Sequence, residues 1–211
     1  MMKSELKQAI HWRYATKIFD KDKKISPEDW GMIEEALIYS PSSFGLQPWK
    51  FLIITNHEVR KKLTPHSWNQ SQVEDCSHFV VFCAKKEITN NNVENYIERM
   101  AKVREMPASS FEEYKMKINH SMELKGKDKL PYTSRQVYIA LGNAMNVASL
   151  LKIDTCAMEG FFPEEYNSIL NIDKEYTAVV ACAFGFRSEA DKYAKLKKVR
   201  FEKSKLIEYF N

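Results

Sequence analysis

The sequence predicts a mixed α/β (α+β) fold built as one domain over residues 1–211, and three observations carry that reading. Apolar residues recur at helical spacing in four separate stretches. Four shorter stretches are continuously apolar, as in strands covered by helices on both faces. The chain holds only 6 glycines, all dispersed. Neither a G-x-G-x-x-G turn nor a P-loop can therefore be written, so a nucleotide cannot be held in a glycine-rich phosphate loop.

Each element follows from local signals. Ser26-Pro27-Glu28-Asp29 sets a capping hydroxyl, a first-turn proline and acids at a helix start. Trp30, Ile33 and Leu37 then share one face until Ser40-Pro41 stops the run. Apolar runs at 50–55 and 78–84 read as strands. Val93, Tyr96, Ile97, Met100 and Val103 form a second helical stripe that ends before Pro107. Ser109-Ser110-Phe111-Glu112 reads as a capping box, opening a helix with Phe111, Tyr114, Ile118 and Met122 inward and fading at Gly126. The longest apolar helix is expected at 134–151, with Val137, Ala140, Leu141, Ala144 and Ala148 on one side. Ala140, Gly142 and Ala144 are small enough to admit a neighbouring helix, which makes this the central one. Strands at 155–158 and 176–185 follow. From 187 to 211 the chain is charged and lacks a stripe until Leu206-Ile207-Glu208-Tyr209-Phe210, so it is expected to wrap over a surface.

Composition excludes several classes. A hydrophobic content of 44% over 211 residues supports a substantial core, and a net charge of +4 is too small to make nucleic acid the default partner. The start, Met1-Met2-Lys3-Ser4-Glu5-Leu6, carries an acid and lacks the apolar core of a signal peptide. The longest apolar stretches, 79–84 and 177–186, are too short to cross a bilayer. A cytoplasmic protein with no membrane association is expected. Cys76, Cys83, Cys156 and Cys182 mostly sit in strand-like runs and read as reduced thiols. Cys76, His78 and Cys83 lie close together, but no fourth ligand follows at a suitable interval, so no metal is expected. No cysteine has a basic or helix-start context, and Ser42 and Ser43 lack a G-x-S-x-G elbow.

The cations are more informative. Arg13 and Lys17 stand four apart, and Lys198 and Arg200 point to one side if their segment is extended. Two distant basic pairs suit one dianionic phosphate, and arginine adds a forked contact. Two other readings stand beside this one. Charge runs are commonly solvated surface. A polyanion binder would use Lys192, Lys195, Lys197, Lys198, Arg200, Lys203 and Lys205 with Tyr193 and Phe201 between them. Against the latter, Glu189, Asp191, Glu202 and Glu208 dilute the field.

Segments 13–19, 40–49 and 75–85, with Gln136-Val137-Tyr138, Gly142-Asn143, Glu159-Gly160-Phe161 and Lys198-Val199-Arg200, resemble in content and order the signature of the nitroreductase family. The similarity is greatest to the branch of oxygen-insensitive NAD(P)H nitroreductases, flavin reductases and dihydropteridine reductases. It implies a mostly antiparallel central sheet covered by helices, and a homodimer that exchanges its C-terminal segments. It also implies FMN as cofactor, NADH or NADPH as donor, and small planar acceptors. Arg13, Lys198 and Arg200 would bind the FMN phosphate. Tyr14 and Ala15 lie in the same binding segment, and Lys17 lies near the pyrimidine edge of the ring. Asn69 would hydrogen-bond that edge, and Gln72 lies near N1 and O2. Glu159 and Gly160 would present N–H groups toward N5 and O4. Pro41, Ser42 and Ser43 would reach the flavin of the second subunit, and Phe44 would narrow the substrate mouth. Ala15 replaces a serine, and Gln72 a lysine, of the close relatives. The flavin carries the chemistry, so no catalytic side chain is implied. A non-catalytic flavin-binding protein is the remaining alternative.

Overall fold

The computed structural model describes residues 3–210, so Met1, Met2 and Asn211 lie outside the described residues. Its centre is a four-stranded antiparallel sheet of β1 (Trp49–Ile54), β2 (His78–Lys85), β3 (Asp154–Met158) and β4 (Tyr176–Gly185), in the order β1-β2-β4-β3. All four strands lie within one residue of the sequence expectation. In β2, Phe79, Val81 and Cys83 enter one buried cluster while Val80, Phe82 and Ala84 enter another. Burial on both faces is why the run is apolar without alternation. Opposite Phe82 and Cys83 the register shifts, leaving Val179 as an extra residue in β4. That bulge puts Ala178 and Ala181 in the same cluster.

Nine helices surround the sheet among the described residues: α1 (Lys3–Trp12), α2 (Pro27–Ile38), α3 (His57–Leu63), α4 (Gln72–Asp75), α5 (Asn90–Arg104), α6 (Glu112–Leu124), α7 (Leu130–Leu150), α8 (Pro163–Ile169) and α9 (Lys203–Leu206). Helix α2 starts as its sequence requires, with the Ser26 hydroxyl accepting from the Asp29 N–H at 3.1 Å. Trp30, Ile33 and Leu37 of α2 and Val137, Leu141, Ala144 and Ala148 of α7 cover one sheet face. Burying each such aliphatic side chain contributes about 1.5–3 kcal/mol. Leu63, Val73 and Tyr166, from α3, α4 and α8, cover the other face. A third cluster joins α5 and α6, and Phe44 and Leu46 pack against it.

Three local expectations need correction. The Ser109 capping box does not form. A 3-10 turn (Ala108–Phe111) intervenes, and α6 starts at Glu112 without a side-chain cap. The capping box lies instead at Thr89, with Asn92, before α5. Helix α7 begins four residues earlier than expected, because Pro131 occupies the first turn, where its missing N–H costs nothing. Gly142 admits no helix within the protomer: it is exposed, with nothing within 4 Å of where a Cβ would stand.

Segment 13–19 runs along the outer edge of β3. Ala15 bridges Thr155 in parallel, and Phe19 bridges Arg187 antiparallel. The tail after β4 is largely exposed, including Val199, Phe201, Leu206, Tyr209 and Phe210. The four cysteines are free and buried.

Candidate cofactor site

Two buried carboxylates hold segment 13–19 in place. Asp154, at the start of β3, accepts from the Thr16 hydroxyl at 3.2 Å and from the Arg187 N–H at 2.8 Å. Asp191, which is 1% exposed, accepts at Oδ2 from the Lys17 N–H at 2.7 Å, the Tyr14 hydroxyl at 2.9 Å and the Ile18 N–H at 3.2 Å. Its Oδ1 accepts from the Tyr193 N–H at 3.0 Å. Burial pushes the Asp191 carboxyl upward, but these donors outweigh it and leave it below the ordinary carboxylate value. Burial, and then the bond to Asp191, push the Tyr14 phenol up to about 12. The sequence reading had taken Asp191 as a charge diluting a basic tail. It is instead an internal acceptor.

Against this fixed segment the tail folds back to form a cleft of about 490 Å³. Arg13, Tyr14, Ala15, Lys17, Lys197, Lys198 and Arg200 all line it, and no aspartate or glutamate does. A neighbouring cavity of about 430 Å³ shares Arg13, Lys198 and Arg200 and adds Asn146. Among the described residues, none of these cations forms an ion pair. Lys198 Nζ donates to the Ile10 carbonyl at 2.9 Å, and Arg200 Nη1 to the Val199 carbonyl at 2.6 Å. Burial, then the Arg13 and Arg200 charges, lower the Lys198 ammonium below its ordinary pKa. Clustered cations with free donors and no competing acid match the chemistry of a phosphate dianion. By that test the residues present fit the FMN phosphate.

The residues expected at the ring edge fall in two groups, and of them only Lys17 lines the cleft. Lys17 Nζ lies 3.9 Å from Cys156 Sγ, and the Gln72 side chain bonds the same thiol. Asn69 follows Trp68 in a left-handed pair, with φ of 53° and 54°. Gln70 Nε2 donates to the Gly160 carbonyl at 3.2 Å. A Cβ at Gly160 would stand 2.8 Å from the Trp68 ring, so a larger residue there would have to displace that ring. On the other side, the Tyr138 hydroxyl donates to the Glu159 carboxylate.

Pro41, Ser42, Ser43 and Phe44 do not line the cleft within one protomer. They belong to a loop with positive φ at Phe44, Gly45 and Gln47. Helix α7 grips this loop at both ends. Gln136 Oε1 accepts from the Ser43 N–H at 2.9 Å, and Asn143 Nδ2 donates to the Ala36 carbonyl at 2.8 Å and to Ser40 Oγ at 3.1 Å. Ser42 Oγ accepts from the Gln47 N–H at 2.9 Å, and the Tyr114 hydroxyl donates to the Phe44 carbonyl at 3.1 Å. The Phe44 ring packs edge-on to Tyr114. The sequence reading noted Gln136, Tyr138 and Asn143 only as matching residues. They lie within eight residues of one helix, but the groups they hold are distant in sequence.

The sheet and cleft define an α+β protein that presents an acid-free cationic site beside its edge strand. The model of the nitroreductase family matches residues 10–186, and the chain belongs to that family. A Staphylococcus epidermidis protein provisionally named an NAD(P)H nitroreductase is 36% identical over 206 residues, which is 93% of this chain and 94% of that one. A similarly named Staphylococcus haemolyticus protein is 38% identical over 201 residues, covering 90% and 92%. Among solved structures, a provisionally named nitroreductase from Bacillus subtilis superposes with a TM-score of 0.87 at 20% identity, covering 99% of this chain and 100% of that one. Another from Exiguobacterium sibiricum, in complex with FMN, gives 0.80 at 20% identity and 97% coverage of both. At that identity these structures establish the fold. The match to the family model stops at 186, before Lys198 and Arg200.

Proposed function

We propose that the chain acts, as one domain over 1–211, as an FMN-dependent NAD(P)H oxidoreductase serving small planar acceptors such as nitroaromatics, quinones, pteridines or free flavin. The observation that carries this reading is the acid-free cleft shared by Arg13, Lys198 and Arg200. Bound FMN would supply the redox chemistry, taking hydride from NADH or NADPH in one half-reaction and passing it to the acceptor in the next. The chain's own residues bind and orient. Arg13, Lys198 and Arg200 hold the phosphate, with Tyr14 and Ala15 beside it. Lys17, Asn69 and Gln72 offer donors to the polar ring edge, where charge appears on reduction. Glu159 and Gly160 direct backbone N–H groups at the reactive edge.

In this reading the protein is a cytoplasmic homodimer. The Pro41-Ser42-Ser43 loop reaches the flavin of the second subunit, and Phe44 lines the approach of the acceptor. The hydrogen bonds that fix that loop to α7, and the exposed apolar end from Leu206 to Phe210, both suit a partner copy. Among the described residues no helix is long and apolar enough to cross a membrane. The tail cations converge on Arg13 in a concave site rather than spreading along a stripe, which favours a small phosphate over a nucleic acid. The test is to load the protein with FMN and follow its absorption anaerobically after one equivalent of NADH or NADPH. Bleaching, and its reversal by a quinone, are expected. Flavin bands that resist both donors would mark a non-catalytic flavin binder.

A further inference from the structure

We propose that Asp191 is the positioning residue of the phosphate clamp, the group that brings the cations of two distant segments to one cleft without touching the ligand. This rests on the FMN reading. The clamp has two arms: the segment beside β3, which carries Arg13 and turns Lys17 toward the ring edge, and the tail, which carries Lys198 and Arg200. Among the described residues no ion pair joins them, and burial, then the Arg13 and Arg200 charges, lower the Lys198 ammonium, so the like charges oppose convergence. The bond from Lys198 Nζ to the Ile10 carbonyl is one tie between the arms, and a buried acceptor supplies the others.

Asp191 is placed to do so. Oδ2 takes three donors from the first arm, namely the N–H groups of Lys17 and Ile18 and the Tyr14 hydroxyl. Oδ1 takes the Tyr193 N–H and thereby caps the short turn Lys192–Lys195, from which the chain runs on to Lys198 and Arg200. One carboxylate thus spans a sequence separation of 174 residues. Tyr14, Lys17, Tyr193 and Ala194 line the cleft, but Asp191 does not. Its charge lies behind the wall with its oxygens engaged, so it offsets repulsion among the cations without competing for them.

Asparagine is the informative replacement. Three donors meet at Oδ2, so the amide oxygen must sit there, and the amide nitrogen then faces the Tyr193 N–H, donor against donor. Asp191→Asn should therefore keep the first arm and release the second. FMN affinity, read by flavin fluorescence quenching well below the melting temperature, should fall about 10-fold or more. Riboflavin, which lacks the phosphate, should change less than about threefold by the same energetic scale. Amide hydrogen exchange at 192–200 should rise in the ligand-free variant. If Asp191→Asn does not fold, Asp191→Ser retains a turn-capping hydroxyl but is too short to bridge both arms, and the same selective loss is expected. Unchanged FMN affinity in a folded variant, or equal losses for both flavins, would overturn the inference while leaving the FMN reading intact. Failure of the unmodified protein to bind FMN would overturn that reading, and this inference with it.

Discussion

Arg187 and Asp154 form a two-pronged pair at the edge of the sheet, with Arg187 Nε at 2.9 Å and Nη2 at 2.6 Å from Asp154 Oδ1. The guanidinium is also sandwiched between aromatic rings, 4.2 Å from the Trp12 centroid and 4.6 Å from that of Tyr14. The pair therefore joins the end of α1, segment 13–19, β3 and the chain leaving β4. It is the frame on which the cationic cleft is hung.

Breaking that frame should be costly. Arg187→Ala leaves the Asp154 charge buried without its cation, a change that typically costs 3–5 kcal/mol. Urea unfolding should show a loss of about 3 kcal/mol or more. Removing both partners should cost less than the sum of the single changes, because no lone charge is left behind. A loss below about 1 kcal/mol for Arg187→Ala would mean the pair is only a surface contact.

His78 predicts an acid-sensitive step in stability. Its ring stacks on Trp30 at 4.0 Å, and Nδ1 lies 3.0 Å from the Ser77 hydroxyl. Burial, then the charges of Arg60 and Lys24, lower its pKa from 6.5 to about 4. Between those values the unfolded chain binds the extra proton and the folded one does not. The contribution is therefore complete above pH 6.5 and lost progressively as pH falls toward 4. His78→Phe keeps an aromatic ring on Trp30 and removes the titration, so its stability should vary less between pH 7 and pH 5 in urea unfolding. Equal slopes for the variant and the unmodified protein would remove His78 as the cause.

Much of the fold was legible because its causes are local. The strand runs, and the Ser26-Pro27 start of α2, are set by neighbouring residues. Helix α1 left no stripe because only Ala9 is fully buried while Leu6 and Ile10 stay partly exposed. Helices α3, α4 and α8 are too short for periodicity to register. At the site, residue types singled out the pairs Arg13/Lys17 and Lys198/Arg200, and the family resemblance assigned Arg13, Lys198 and Arg200 to the phosphate. Asp191, Gln136 and Tyr138 bond to partners as far as 177, 93 and 21 residues away. Their roles appear only when the chain is folded.

The loop that would reach a second subunit gives a further test. Gln136→Leu removes the acceptor of the Ser43 N–H and should leave the sheet intact. An unpaired N–H costs about 1–3 kcal/mol, part of which the loop would recover by relaxing. FMN affinity should therefore fall roughly 5- to 10-fold, with little change in far-ultraviolet dichroism. Unaltered affinity would show that loop geometry does not matter to the flavin.

The central claim is that the tail's cations clamp the FMN phosphate, and Arg200→Ala tests it most directly. Hydrogen bonds to charged groups contribute about 1.5–3 kcal/mol, so titration of the ligand-free variant should show FMN binding weakened roughly 10- to 100-fold. Riboflavin binding should barely move. Equal affinities for FMN in the variant and the unmodified protein would place the phosphate elsewhere and contradict the account.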